Sequence, residues 1–537
     1  MKKLRLFISH GARFRGKPLK YLPNELRVLV WDNYPSQVLP PKFVRNQLRV
    51  FRMHNSFIQK LGGGEFKKLT RMELTGCNEL REISDLSSSS NLKELDILDC
   101  PKLVKVHKSV GSLGNLVSLM FWRCCELRSF PKSLKLRSLK QLFISNCKRL
   151  KDFPEIECEM ENVTTLSLHS TGINKLPSSI ANLSRLKHFY LKECKPSALS
   201  LPRSIFQIKA LEIFYLNDCP KAVLFGKNVG HNGQNTAPIM FSDFARNVLE
   251  DLNLNGSGLS QPDLFSILFD CSDHGLKKLY LRGMNIDMLP SDMARFVRLT
   301  RLDLDDCKNL REIPELPQNI KEISARGCRS LERFSQLPKI LWQFNESGLQ
   351  DLKEVDVTGC HNLVCDVPKT SMFQGYPAGN GIAFMAAFPG SKKPDSLHPC
   401  EKNSGVFEID IDALRNLDKN IRGIALYVVF GTTYGKDVIV VEYGRKPLWS
   451  HGTRLCYDSR DSMTSNHVLL LYISAIDIEG IQTILLYDSD LRVIEYCGFC
   501  PVYENDEEEA AKDKSKMLYE GVDSNLESRW ERKRKNS

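Results

Sequence analysis

The 537-residue sequence predicts an α/β solenoid of stacked coils followed by an all-β antiparallel sandwich. Three observations predict this architecture. Leucines recur in one spacing pattern, mostly every 21 to 27 residues, through the first two thirds of the chain. Cysteines return at one fixed position of that pattern, and beyond about residue 380 apolar residues alternate with polar ones instead. The change from a coil repeat to simple alternation indicates a change of fold within the chain.

The repeating unit is clearest in residues 139–154, LKQLFISNCKRLKDFP. Its spacing is that of a leucine-rich repeat, whose period is about 20–29 residues. A short strand around Leu-x-Leu points its apolar residues inward, and strands of neighbouring coils pair in parallel. We predict a horseshoe of about 14–15 repeats over residues 1–369, with the parallel sheet on its concave face. The predicted units begin at Leu26, Leu48, Leu69, Leu92, Leu116, Leu139, Val163, Leu186, Leu211, Leu249, Leu276, Leu299, Ile320 and Leu352, with a partial one at Leu4.

Nine of the 17 cysteines occupy one position of the repeat, which points into the core. Buried there, they act as small hydrophobic residues with a weak S–H donor. The odd total and the repeat spacing favour free thiols in a reducing compartment over a disulfide framework. The nine are Cys77, Cys100, Cys124, Cys147, Cys194, Cys219, Cys307, Cys328 and Cys360.

The last third of the chain has short runs with a period of two, such as residues 407–411, where isoleucine and phenylalanine alternate with acidic residues. Turn-forming Gly, Asn and Asp separate these runs. We predict an antiparallel sandwich of the jelly-roll or immunoglobulin-like type over residues 381–503. Residues 370–380 predict a linker, and the charged residues 504–537 predict a disordered tail.

The solvent-exposed, concave face of the predicted repeat sheet carries many aromatic residues. Its positions lie two, four and six residues after each repeat start. We predict a partner-binding surface there, because exposed aromatic clusters mark protein interfaces and Trp and Tyr dominate binding energies. The alternative is that aromatic residues are simply favoured in strands. The predicted residues are Met120, Trp122, Phe143, His169, His188, Tyr190, Ile213, Tyr215 and Tyr280.

The net charge of +11 is concentrated at the N-terminal end, where residues 1–60 hold thirteen Lys/Arg and two Asp/Glu. We predict a basic docking edge for an acidic protein, formed by Arg27, Arg45, Arg49 and Arg52. Nucleic acid and lipid are less favoured partners, because the basic residues are interleaved with repeat leucines. A second basic cluster, Arg532, Lys533, Arg534 and Lys535, would suit nuclear import.

Catalytic and cofactor motifs do not occur: the sequence has no GxxxxGK[ST], GxGxxG, GxSxG or HExxH pattern. Cys497 and Cys500 form one CxxC, but no second ligand pair stands at zinc spacing, so structural cysteines are favoured. We predict a non-enzymatic protein without cofactor or metal. The alternative is a catalytic or glycan-binding pocket in the sandwich.

Several segments resemble the plant Toll/interleukin-receptor-type (TIR-type) nucleotide-binding leucine-rich-repeat immune receptors. Residues 20–43, KYLPNELRVLVWDNYPSQVLPPKF, and repeats such as NLKELDILDCPKLVKV resemble their repeat region. AFPGSKKPDS (residues 387–396) and EYCGFCPVYEND (residues 495–506) resemble the opening and closing segments of their C-terminal jelly-roll domain. Lys393 and Ser396 replace the family's apolar residue and tryptophan. The matching motif residues are Pro389, Gly390, Ser391, Pro394, Cys497 and Gly498.

The resemblance implies a recognition module of plant innate immunity that binds a pathogen effector or a guarded host protein through the concave face and the sandwich. The family's signalling and nucleotide-binding domains are missing from this sequence, so we expect a receptor's sensing half, a truncated gene product or a partial gene model. The nucleotide-binding domain of a full-length receptor is then a further candidate partner. The alternatives are a general intracellular repeat scaffold, or a fragment acting as a decoy or without function. We expect a cytoplasmic protein with no membrane or nucleic-acid partner, or a nuclear one if the tail cluster acts in import.

Overall fold

The computed structural model describes residues 3–11, 21–61, 65–194, 199–225, 248–271, 275–342, 349, 351–365, 382–394, 397–403, 406–410, 421–430, 435–445, 448–459, 466–474, 483–488 and 494–503. The chain forms two compact units, Met1–Met284 and Asn285–Ser537. The predicted linker 370–380 and the predicted tail with Arg532, Lys533, Arg534 and Lys535 lie outside the described residues. Within the described ranges, no helix is long and apolar enough to cross a membrane.

The first unit is a stack of short parallel strands joined by turns and a few helical segments. Its strands are β1 Leu6–Ser9, β2 Val28–Asp32, β3 Val50–His54, β4 Arg71–Thr75, β5 Glu82–Ile83, β6 Glu94–Leu98, β7 Lys105–Val106, β8 Ser118–Trp122, β9 Ser133–Leu134, β10 Gln141–Ser145, β11 Glu155–Ile156, β12 Thr165–His169, β13 His188–Lys192, β14 Leu199–Pro202, β15 Ile213–Asn217, β16 Ala222–Phe225, β17 Asp251–Asn253 and β18 Lys278–Tyr280. Its helices are α1 Gln261–Asp270 and the 3-10 helices Lys108–Ser112, Ser178–Asn182 and Arg203–Gln207.

The strands pair in strict register, so their apolar residues form a continuous core behind the sheet. In β10, Leu142 and Ile144 are buried and the alternate residues face solvent. Leu142 pairs with Leu119 of β8 and with Leu166 of β12. Each such side chain contributes about 1.5–3 kcal/mol when fully buried. All nine repeat cysteines are buried, which confirms their predicted direction.

The strand that begins each repeat is followed by a tight turn with a left-handed backbone. Seven residues after every predicted repeat start, φ is positive, from 49° at Asn55 to 78° at Gly359. Because this conformation is unfavourable for most L residues, the position is mainly Gly, Asn or Asp. This recurrence confirms the predicted register from Leu4 to Leu352. The turn residues are Gly11, Asn33, Asn55, Gly76, Asp99, Arg123, Asn146, Ser170, Glu193, Asp218, Gly256, Gly283, Asp306, Gly327 and Gly359.

The turn glycines allow a direct test of this backbone requirement. We expect Gly283→Ala to lower the free energy of unfolding by about 1 kcal/mol. Gly283 has a φ of 69°, and a Cβ there would meet no atom within 4 Å, so only the backbone conformation is penalised. Gly114→Ala is the matched control, since that site is equally open and its φ is not positive. Equal urea-unfolding midpoints for the two variants would contradict this interpretation.

The second unit begins with further repeats and continues as antiparallel sheets. Its strands are β19 Arg301–Asp303, β20 Glu312–Ile313, β21 Glu322–Ser324, β22 Arg333–Phe334, β23 Glu354–Asp356, β24 Ile382–Pro389, β25 His398–Pro399, β26 Glu401–Asn403, β27 Val406–Asp410, β28 Ile421–Phe430, β29 Gly435–Arg445, β30 Leu448–Ser459, β31 His467–Ser474, β32 Thr483–Asp488 and β33 Ile494–Tyr503. Its helices are α2 Leu337–Trp342 and the 3-10 helix Met293–Arg295.

The antiparallel strands form two packed layers. One layer contains β24, β31, β28, β33 and β25, and the other contains β26, β27, β32, β29 and β30. Phe407 and Ile409 of the second layer share a buried core with Leu426 and Leu469 of the first. The predicted fold class, a leucine-rich-repeat solenoid followed by an antiparallel sandwich, is confirmed. The sequence pattern did not predict β24 or β30, because neither alternates clearly between apolar and polar residues.

In this second unit the repeat sheet runs directly into the sandwich. β24 pairs in parallel with the last repeat strand, β23, and antiparallel with β31. The N–H of Val357 donates to the carbonyl oxygen of Ala387 at 2.8 Å. Behind this junction, the fully buried His467 accepts the N–H of Gly359 at its Nε2, 2.9 Å away, and stacks on Phe430. Backbone pairing and a buried histidine therefore join the two architectures.

Candidate protein-interaction surface

The outward residues of the first unit form regular rows across the sheet, because the strands pair without slipping. The central row holds the residue four positions after each repeat start. We call the solvent-exposed side of this sheet the open face. From β1 to β18 the central row reads Ile8, Val30, Arg52, Glu73, Asp96, Met120, Phe143, Ser167, Tyr190, Tyr215, Asn253 and Tyr280.

The C-terminal half of this row is mainly aromatic. Tyr190 and Tyr215 are directly paired across β13 and β15, and their rings meet edge to face with centroids 5.4 Å apart. The His188 ring lies 6.3 Å from Tyr190, and Ile213 is paired with His188 on the next strand. Tyr280 stands in the same row two strands further on. The structure therefore places these predicted residues together on one face.

A carboxylate that the sequence analysis did not select lies among the tyrosines. The hydroxyl of Tyr215 donates to Oδ2 of Asp251 at 3.0 Å. Burial, together with the Asp251 charge, raises the pKa values of Tyr190 and Tyr215 above their ordinary value. Both tyrosines are therefore neutral hydrogen-bonding phenols at physiological pH. Asp251 stands two residues after the start Leu249, so the same outward-position rule could have selected it.

The N-terminal side of the aromatic region contains Trp122, Met120 and Phe143. Met120 and Phe143 are paired across β8 and β10. Trp122 is 41% exposed, the largest ring on this face, and the guanidinium of Arg123 lies 5.1 Å from its ring. A large exposed indole beside a cation can offer both apolar contact and cation–π contact to a partner.

The two histidines lie beside glutamates at the rim. His169 Nε2 is 3.8 Å from Glu193, and His188 Nε2 is 3.9 Å from Glu212. Glu212 also takes a 2.6 Å ion pair from Lys187. The predicted aromatic residues thus have a partly charged border. We call this set the aromatic surface: Met120, Trp122, Phe143, His169, His188, Tyr190, Ile213, Tyr215 and Tyr280.

The first strands of the open face carry an ion-pair network instead. Arg52 Nε lies 2.8 Å from Glu73, whose other oxygen is 3.0 Å from His54 Nε2. Burial opposes ionisation of Glu73, but hydrogen bonds from Arg52 and His54 outweigh it and lower its pKa. Arg71 extends the network to Asp96, and burial raises the pKa of Asp96. The sequence analysis missed this network, although the same outward positions select its members.

The predicted basic docking edge does not form as a unit. Arg27 and Arg49 are exposed, but Arg52 is held by Glu73 on the open face. The prediction that Arg45 belongs to an exposed docking edge is wrong. Only 3% of this residue is exposed, and its guanidinium lies 5.3 Å from the Phe66 ring. Its long side chain fills the space between coils, so it cannot serve as a docking residue. Spacing alone could not reveal this, because arginine is rarely buried.

The two C-terminal motifs lie against each other in the sandwich. Pro389 ends β24, and the N–H of Gly390 donates to the carbonyl oxygen of Asn466 at 3.0 Å. Lys393 lies 4.7 Å from the Tyr496 ring of β33, next to the buried pair Cys497 and Gly498. Ser391 is exposed and Pro394 half-buried. Most of these motif residues therefore act in packing.

Among the residues that the structure describes, no group of three or more His, Cys, Asp or Glu side chains could hold a metal ion.

Comparison with known proteins gives the repeats a family. Residues 135–347 match the family model described as "Disease resistance protein RPS4B-like, leucine-rich repeats". Residues 135–347 are therefore similar to the leucine-rich repeats of plant disease resistance proteins. The resemblance of the repeats to those of TIR-type nucleotide-binding resistance proteins is thereby confirmed.

Three similar curated proteins are each longer than this chain. Disease resistance protein RPP2A of Arabidopsis thaliana is 36% identical over 193 residues, which is 36% of this chain and 14% of that protein. TMV resistance protein N of Nicotiana glutinosa is 28% identical over 62% of this chain and 32% of its own length. Disease resistance-like protein CSA1 of Arabidopsis thaliana is 27% identical over 84% and 38%. This chain therefore spans well under half of each of these relatives.

One similar solved structure is the functional domain of InlJ from Listeria monocytogenes, whose title states that it includes a cysteine ladder. It is 14% identical, with a TM-score of 0.32, over 57% of this chain and 66% of that one.

Proposed function

We propose that this disease resistance chain is a non-catalytic recognition module whose aromatic surface binds a pathogen effector or a guarded host protein. The observation that carries the proposal is the pairing of Tyr190 with Tyr215 on the open face, in one row with Phe143 and Tyr280. Aromatic residues on a rigid sheet lose little conformational entropy on binding, and they are frequent hot spots.

The regular sheet supports the proposal because it presents side chains without any need for loop ordering. Trp122, Tyr190 and Tyr215 lie on strands that are themselves paired with a neighbouring strand on both sides. The hydrogen bond to Asp251 holds the Tyr215 ring in place. Such preorganisation lowers the entropic cost of association.

We further propose that the sandwich contributes to recognition, and that its limits are the predicted boundaries at residues 381 and 503. The direct pairing of β23 with β24 supports a fixed placement of the sandwich against the last repeats of the second unit. Buried thiols at nine repeat positions favour a reducing compartment such as the cytoplasm. A full-length receptor's nucleotide-binding domain is a second candidate partner in the same compartment.

The test is a binding series with single substitutions on the aromatic surface. Trp122→Ala, Tyr190→Ala and Tyr215→Ala are each expected to weaken binding of the captured partner by about 2 kcal/mol, or roughly 30-fold in Kd. Effectors secreted by the pathogen are first screened by co-immunoprecipitation from leaf tissue that expresses the whole chain. Affinities of the purified variants for the captured protein are then compared by calorimetry.

Phe57→Ala and Phe269→Ala are the matched controls. Both rings are more than half exposed and lie outside the strands of the open face. They are expected to leave affinity unchanged. Undiminished binding in all three surface variants would reject the aromatic surface as the site. Capture of a housekeeping signalling enzyme instead of an effector would favour a general scaffold.

A further inference from the structure

Two cysteines that are far apart in the sequence meet in the sandwich. The Sγ atoms of Cys400 and Cys497 are 3.2 Å apart. β25 pairs antiparallel with β33, with His398 opposite Phe499. This register brings Cys400 opposite Cys497, and the N–H of Cys400 donates to the carbonyl oxygen of Cys497 at 2.9 Å. The backbone therefore holds the two thiols together.

The neighbouring cysteine in the sequence is not the partner. Cys497 and Cys500 form a CxxC within one strand, β33. Three steps along a strand span about 10 Å, whereas a disulfide requires Cα atoms within about 7 Å. The sequence therefore suggests one pairing, and the structure provides another.

The pair also differs from the stacked cysteines of the repeats. Cys124 and Cys147 are both fully buried behind the sheet, and such thiols are chemically inert. In the sandwich, Cys400 is only half-buried, while Cys497 is buried. Contact with the Cys400 thiol, together with burial, raises the pKa of Cys497. Cys400 is thus the member of the pair that a soluble oxidant can reach.

We propose that Cys400 and Cys497 are a redox-modification site that forms a reversible disulfide with hydrogen peroxide as oxidant. The Cys400 thiolate attacks the O–O bond, giving a sulfenic acid and hydroxide, and the hydroxide becomes water with the proton that the Cys400 thiol released on ionisation. The sulfur of Cys497 then displaces the hydroxyl group, which leaves as water with the Cys497 proton. Two thiols lose two electrons in total, and one peroxide becomes two waters. Closing to bonding distance requires an approach of about 1 Å.

The disulfide would tie the first C-terminal motif to the second. Between β24 and β25, the motif segment is held by non-covalent contacts. The Tyr427 hydroxyl donates to the carbonyl oxygen of Lys392 at 2.6 Å, and Lys393 stacks on Tyr496. A covalent bond at Cys400 would fix the far end of this segment to β33. Oxidation would thereby restrict a segment that reduction leaves free to exchange.

The test uses the full chain, reduced and freed of reductant, then treated with hydrogen peroxide and alkylated. Peptide mapping by mass spectrometry is expected to show a Cys400–Cys497 linked peptide and loss of alkylation at both residues, reversed by reductant. Cys500→Ser should retain the link and Cys400→Ser should abolish it. A Cys497–Cys500 link, unchanged alkylation at both sites, or oxidation of Cys400 without a link would each overturn the proposal.

Hydrogen exchange provides a second measurement on the same samples. The amides of His398 and Cys400 are expected to exchange more slowly in the oxidised protein, and Cys400→Ser should show no such change with peroxide. Equal exchange in the reduced and oxidised wild-type protein would overturn the proposed tether.

Discussion

Phe189→Ala is expected to lower the free energy of unfolding by about 3–5 kcal/mol. Phe189 is fully buried in β13, and its ring centroid lies 5.6 Å from that of Phe214 on the next strand. Phe214 also packs edge-on against Phe206 at 5.4 Å. Removing the Phe189 ring leaves a cavity at an interface between coils, and those interfaces are the source of stability in a solenoid.

Urea unfolding followed by circular dichroism measures this effect. Lys192→Ala is the matched control, because Lys192 is exposed on the same strand; its change is expected to stay within about 0.5 kcal/mol. A loss for Phe189→Ala no larger than that of the control would contradict the assignment of Phe189 to the stacking core.

Raising the pH from 4 to 7 is expected to lower the free energy of unfolding of the second unit by up to about 3 kcal/mol through Asp356 alone. Burial raises the pKa of Asp356 to about 6, although the Arg326 guanidinium, 3.8 Å away, opposes this. Asp305 and Glu354 also face this carboxyl group. The folded-state pKa lies above the unfolded value, so the folded protein binds this proton more tightly. That stabilisation is complete below about pH 4 and is lost as the pH rises through about 6.

Asp356→Asn isolates this contribution. The amide oxygen can keep the hydrogen bond that the Thr358 N–H donates to Oδ1 at 3.0 Å, and the amide does not titrate. The difference in unfolding free energy between variant and wild type is expected to change between pH 4 and 6, since carboxylates that do not interact with Asp356 cancel in the difference. A difference that is constant with pH would contradict a raised pKa for Asp356.

Much of the repeat architecture could be predicted because it is local and periodic. Leu142 and Cys147 point inward wherever their repeat occurs, since each coil has the same backbone. The outward positions follow from the same alternation, and this is why Tyr190 and Tyr215 could be placed on one face. Binding residues were selected mainly for aromatic or apolar character at these positions, so Asp251 and the network around Glu73 were missed.

Other features could not be predicted because they depend on contacts between distant residues. Arg45 looks like a surface cation in the sequence, and only the neighbouring coil with Phe66 shows that it is buried. The strand β30 lacks an alternating pattern, and its pairing with β29 defines it. Cys400 and Cys497 are 97 residues apart in the chain, and no local pattern connects them.

The sequence by itself determined the repeat period, the inward leucines and cysteines, and the set of residues on the open face, because these depend on the geometry of single strands and turns. The tertiary structure alone decided which side chains and strands meet: Tyr215 with Asp251, Cys400 with Cys497, and strand β23 with strand β24. Such meetings depend on strand register and on packing between segments far apart in the chain, and this information is not present in any single repeat.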